Sequence, residues 1–235
     1  MKFIFNIIYN FLDRYVHRPK IKKLIKKLNL DQKIIFDVGS HEGETLNFLM
    51  KIFPHAKYFG FEPQKKCFKK LKKKFLFNKN VKVFNCALGQ KSQSKTLFHN
   101  SLSTTSTFSL INSKSKHYKI KSFFLSSKYA GFYGKQKVKV KTLAQMIKVL
   151  KIKKIELLKI DTEGHELEVL KGLKNNIKNI KIIFIEHNFT DYYLKYNLKE
   201  IVSFLKKNKF KNIAGAKFPF MQYSDEIYVN TKFMK

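Results

Sequence analysis

Asp37, Glu62 and the run Asp161-Thr162-Glu163-Gly164-His165 are the side chains whose types and spacing could do chemistry in this chain. Asp37 closes the apolar run Ile34-Ile35-Phe36, and Gly39 and Gly43 follow, residues that let a backbone turn sharply and approach a ligand closely. Glu62 closes Lys57-Tyr58-Phe59-Gly60-Phe61, near the roughly 20-residue offset at which an acid ending the second strand of a βαβ unit meets ribose hydroxyls. A carboxylate there accepts from both hydroxyls at once. Asp161, Glu163 and His165 emerge together after Ile155-Glu156-Leu157-Leu158-Lys159-Ile160. A base in such a place could take the proton of a hydroxyl nucleophile, and the ordinary pKa of histidine suits that exchange near neutrality.

The first loop departs from the dinucleotide fingerprint. G-x-G-x-x-G requires glycines where His41 and Glu44 stand, so NAD is not expected. A ribose without a pyrophosphate fits better, and S-adenosylmethionine is the commonest such cofactor on this architecture. The expected pocket takes Asp37, Gly39, His41 and Gly43 from the first loop, Glu62 from the second strand, and Asn85 and Ala87 from the third. Ligands collect outside the carboxyl ends of strands in such a sheet. Asp161, Glu163 and His187 offer oxygen and nitrogen donors for a divalent cation, but without metal-specific spacing, and no metal is expected.

The elements that must position these residues alternate. Short apolar runs predict strands at 34–36, 57–61, 81–87, 138–140, 155–160, 181–187, 211–216 and 226–230. Helical periodicity lies between them at 45–53, 64–77, 143–151, after 166 and at 197–208, with Thr142 placed to cap the third of these. The pattern predicts an α/β fold: a seven-stranded, mostly parallel sheet with helices on both faces and a closing antiparallel hairpin. Residues 100–136, rich in Ser and Thr, read as a long polar excursion, a candidate acceptor lid or a surface loop.

Composition narrows the function classes. The net charge of +33 invites a nucleic-acid reading, yet of 49 basic residues only Arg14 and Arg18 are arginine, the side chain best suited to bidentate phosphate and base contacts. Lysines run along the whole chain with abundant Asn, Ile and Phe, as a bias towards A- and T-rich codons would produce, and nucleic acid is not the expected partner. Cys67 and Cys86 form neither a CxxC motif nor a disulfide framework, which suits a reducing cytoplasm.

Residues 1–31 read as an amphipathic helical extension and 32–235 as one catalytic domain. Phe3, Ile4, Ile7, Ile8, Phe11, Leu12, Tyr15 and Val16 share one helical face, interrupted by Asn6, Asn10 and Asp13, too short and polar to span a bilayer. No signal-peptide cleavage pattern follows. The segment is expected either to cap the core or to rest on an anionic membrane, giving a cytoplasmic protein with a peripheral inner-membrane contact.

The successive blocks Phe36-Asp37-Val38-Gly39-Ser40-His41-Glu42-Gly43, Phe61-Glu62-Pro63, Ala87-Leu88-Gly89, Lys141-Thr142-Leu143 and Leu158-Lys159-Ile160-Asp161-Thr162-Glu163-Gly164-His165-Glu166 resemble those of the FkbM-type methyltransferases. The resemblance spans about residues 33 to 190. It implies a class I Rossmann-like methyltransferase that uses S-adenosylmethionine on a hydroxyl of a sugar, glycan, glycolipid or secondary metabolite. Ala144 stands where the family usually carries an acid. His165 or Glu163 is then the expected base, and Asp161 a ligand of cofactor or acceptor. Two other classes stay open: a nucleic-acid methyltransferase, although the chain has no Pro-Pro dipeptide of the kind found in amine-gripping loops, and a non-catalytic cofactor-binding module.

Overall fold

The computed structural model describes residues 7–8, 11–28, 34–100, 106–119, 132–219 and 221–234. Its centre is a seven-stranded sheet in the order β3-β2-β1-β7-β8-β10-β9. β1 (Ile34–Val38), β2 (Lys57–Phe61), β3 (Val81–Phe84), β7 (Ile155–Ile160) and β8 (Ile180–Asn188) run parallel. β10 (Tyr223–Asn230) lies antiparallel between β8 and β9 (Phe210–Lys217), the closing hairpin expected from sequence. All six residues of β7 are buried, as a central strand covered on both faces requires.

Alternation along the strands feeds two cores. Phe36, Val38, Leu158 and Ile160 join Leu143, Met146, Val169, Leu170, Ile201 and Leu205 from α4 (Leu143–Val149), α5 (Glu166–Lys171) and α6 (Leu198–Lys207). Ile35, Leu157 and Phe184 face the other way, onto Ile21 and Ile25 of α1 (Arg18–Lys26), Leu46 and Leu49 of α2 (Glu44–Met50) and Leu71 of α3 (Lys65–Lys74). Thr142 caps α4 as its sequence predicts, in a reciprocal capping box with Gln145.

Three sequence expectations are corrected. The third strand ends at Phe84 rather than 87, because the Asn85 side-chain amide donates to the Glu62 and Pro63 carbonyls and the chain leaves the sheet there. Ala87 therefore belongs to a second sheet of order β4-β6-β5, where β4 (Ala87–Leu88) pairs with Val140 and Lys141 of β6 (Phe132–Lys141). The strand expected at 138–140 is the end of this longer β6, which starts inside the presumed polar excursion. β5 (Gln93–Asn100) escapes sequence reading because, of Gln93 to His99, only Leu97 is fully buried. The Ser and Thr residues at 101–105, and Ser122, Ser126 and Ser127, lie outside the described residues, as do Phe3 and Ile4.

Candidate functional site

The strand order reverses between β1 and β7, and Asp37 and Lys159 are cross-strand partners at that point. Gly39 turns the chain there with a φ of +88°. A Cβ on it would stand 1.8 Å from the Asp161 carbonyl oxygen, so only glycine lets the first loop lie against the end of β7. Asp161 N–H donates to the Val38 carbonyl, closing the same contact from the other side. Gly43 donates to the Ser40 carbonyl at 2.7 Å and starts α2; a Cβ there would strike the Phe75 ring.

The first loop and β2 meet at Glu62. Its carboxylate accepts from the backbone N–H groups of His41 at 2.8 Å and Gln64 at 2.7 Å. Burial pushes its pKa up to about 7 against those bonds. Asn85 braces the Glu62–Pro63 turn from behind, whereas Ala87 packs with Leu97, Val138 and Val140 in the small sheet. For His41, burial works against charge, but Cys67 and Glu44 outweigh it and hold the imidazole up at about 10. His41, Glu42 and Cys67 also bring donor atoms within 4.8 Å of one another, with Glu42 engaged by Lys70 at 2.6 Å.

Asp37 is 1 % exposed, and neither of its carboxylate oxygens has a hydrogen-bond partner. Burial lifts its pKa to about 6 against the pull of Lys159. Lys159 is the residue that sequence reading missed. Its Nζ lies 3.1 Å from Asp161 and 3.7 Å from Asp225, over the Phe184 ring. Burial disfavours its charge, yet Asp161, Asp225, Glu186 and Asp37 hold its pKa above the ordinary range. A lysine one place before the end of a mainly apolar run was the available signal. His17 reaches the same network from the N-terminal segment, with Nε2 2.9 Å from Asp225.

Beyond Asp161 the chain makes a tight, partly exposed turn. Glu163 takes a φ of +55°, and Gly164 a φ of +91°. Glu166 folds back to hold this turn, accepting from the N–H groups of Thr162 and Gly164 and from the Thr162 hydroxyl. Thr107 and Ser109 donate to the carbonyls of Glu163 and Gly164, and the Tyr193 hydroxyl donates to the Glu163 carboxylate. Leu194 in turn donates to the Leu110 carbonyl, so segments 106–112 and 189–196 enclose the turn together. Glu186, at the end of β8, is pushed well above the carboxylate range by burial and by Asp161, Glu163 and Asp225.

His165 goes elsewhere. Its ring is buried 5.0 Å from Phe108 with Gly89 alongside, and Nδ1 lies 3.4 Å from Glu168. Burial, aided by the Lys95 ammonium, pushes its pKa down to about 3. His187 packs on Tyr228 while the adjacent Glu186 takes the opposite side of the strand.

Residues 37–211 match the Methyltransferase FkbM domain. The chain belongs to the FkbM methyltransferase family. Two relatives carry the same activity in their names: Methyltransferase 1 of Beauveria bassiana, 25% identical over 61% of this chain and 59% of that protein, and Methyltransferase sdnD of Sordaria araneosa, 30% identical over 59% and 60%. The matches thus span about three fifths of those proteins' length. Among solved structures, Aeropyrum pernix fibrillarin with S-adenosylmethionine superposes with a TM-score of 0.51 at 10% identity, covering 90% of this chain and 74% of that one. M. capricolum TrmK with S-adenosylhomocysteine gives 0.50 at 12% identity, covering 89% and 66%. At such identities these structures establish the fold, that of class I methyltransferases.

The FkbM domain is an S-adenosylmethionine-dependent methyltransferase, and the residues present fit that cofactor. It carries an ammonium and a sulfonium, and the orphaned carboxylate of Asp37 has the charge that would complement them in a chain of net +33. Glu62 is a buried carboxylate, the kind of acceptor that ribose hydroxyls would need.

Proposed function

We propose that this methyltransferase acts on a hydroxyl of a sugar, glycan, glycolipid or secondary metabolite. The observation that carries the reading is the turn at 161–164: a carboxylate, Glu163, held by Tyr193 on a partly exposed loop whose other end touches the cofactor glycine, Gly39. Bound S-adenosylmethionine supplies the activated methyl group. Asp37 holds the cationic amino-acid end, and Glu62 orients the ribose. Segments 106–112 and 189–196 exclude water from the turn and orient the acceptor, which in-line displacement requires. Glu163 accepts the proton of the acceptor hydroxyl, a contribution of about 10²- to 10⁴-fold. Asp161, fixed by Lys159, orients the acceptor. His165 is too weakly basic for that role.

The test is to incubate the protein with methyl-labelled S-adenosylmethionine and fractionated lysate. Label in glycan, lipid or small-metabolite hydroxyls supports the reading. Label in nucleic acid would give the charge of +33 the functional role denied to it above, and bound cofactor without transfer to any fraction would favour a binding module.

A further inference from the structure

The N-terminal helical segment has two parts of unlike fate. Ile21 and Ile25 of α1 are sealed in the core, and His17 is buried against Asp225. Ile7, Ile8, Phe11, Tyr15 and Val16, by contrast, stand between 45% and 60% exposed. Ile7, Ile8, Phe11 and Tyr15 follow the i, i+1, i+4, i+8 spacing of one helical face. The Phe11 and Tyr15 rings touch each other at 4.9 Å, with the Arg14 guanidinium 5.6 Å from the Tyr15 ring. Exposed cations continue along the segment: Arg14, Lys20, Lys22, Lys23, Lys26 and Lys27. Its acid, Asp13, is already neutralised by Arg18 at 2.7 Å.

We propose that this face docks on an anionic lipid bilayer, with the apolar side chains at the boundary of headgroups and acyl chains and the cations on the lipid phosphates. Charge selects the occupant. A second copy would bring together two chains of net +33, whereas an anionic surface attracts this one. Apolar area and a polybasic stretch are the two signals whose combination gives stable attachment where either alone is marginal. The segment lies on the surface rather than across it: no helix among the described residues is long and apolar enough to cross a membrane. Its buried root at His17 holds the face in place before it meets the lipid.

The chain contains no tryptophan, so Phe11→Trp introduces a single emission reporter. With vesicles of phosphatidylcholine doped with phosphatidylglycerol its emission should shift to the blue, and with phosphatidylcholine alone it should stay as in buffer. An unshifted spectrum on the anionic vesicles overturns the proposal. Ile8→Ser combined with Phe11→Ser keeps the net charge, and should weaken sedimentation with anionic vesicles at least about tenfold while cofactor affinity, the check on folding, is retained. Equal sedimentation of wild type and the double variant would mean that lysines adsorb without the apolar face. A wild-type dimer in light scattering that the double variant dissolves would assign the face to a second copy; either result overturns docking on lipid. The reporter decides the matter even if the double variant does not fold.

Discussion

The Lys159 ammonium lies 3.1 Å from the Asp161 carboxylate, with 4% of the lysine side chain exposed, at the point where the sheet reverses its winding. Against the upward push of burial, the same cation draws the Asp225 carboxyl below the usual carboxylate range and opposes the rise of Asp37. Removing one partner of a buried pair leaves the other uncompensated, typically at about 3–5 kcal/mol. Lys159→Met should lower unfolding stability by about that amount in urea titrations. Loss below about 1 kcal/mol would show that Asp161 and Asp225 do not depend on it.

Cofactor affinity should rise with pH between 5 and 8. Burial raises Asp37 to about 6 and Glu62 to about 7 in the free protein, so both are partly protonated in that window. A bound cation and ribose hydroxyls favour the ionised forms and lower both values. Affinity is therefore complete above about pH 8 and declines as pH falls through 7 and then 6, by up to about tenfold per unit for each group. Calorimetry across this range checks it, together with proton release on binding near pH 6. A flat profile would remove Asp37 and Glu62 from the pocket.

Glu62→Ala should raise the dissociation constant of S-adenosylmethionine by about 10²-fold, the loss of hydrogen bonds to a charged acceptor at about 1.5–3 kcal/mol each. Because its carboxylate also holds the N–H groups of His41 and Gln64, the first loop should loosen as well, visible as faster amide exchange at His41.

Glu163 and His165 can be ranked by turnover. Glu163→Gln should reduce kcat by about 10²- to 10⁴-fold with cofactor affinity nearly unchanged. His165→Gln should keep kcat within about tenfold and instead reduce stability, since its buried ring packs on Phe108. The reverse order would restore the histidine as the base.

Gly39→Ala should cost about 2–5 kcal/mol, combining a left-handed φ with a Cβ set 1.8 Å from a backbone oxygen that has no freedom to retreat. Thermal unfolding measures it directly. A mild effect would mean that the first loop and β7 are less closely packed than Gly39 requires.

The parallel sheet and its closing hairpin were legible because runs such as Ile34–Phe36 and Ile182–Ile185 are apolar throughout, a pattern with few readings other than buried strands. The acids at strand ends, Asp37, Glu62 and Asp161, were legible for the same reason: a polar residue at the end of such a run is exceptional. The second sheet was not. β5 is mainly polar on both faces, and β4 is two residues long, set apart from β3 by a side-chain contact that leaves no periodic mark. Lys159 was hidden among abundant lysines, since composition does not separate one buried ammonium from a solvated surface. The burial of His165 likewise depends on Phe108 and Gly89, far from it in sequence.

His17 and Lys159 end on one carboxylate, that of Asp225. The N-terminal helical segment and the lysine paired across the sheet with Asp37 thus share a single electrostatic balance. Thermodynamic linkage then makes the relation mutual: whatever factor cofactor binding adds to the hold of that segment on the sheet, the docked segment returns to cofactor affinity in equal measure.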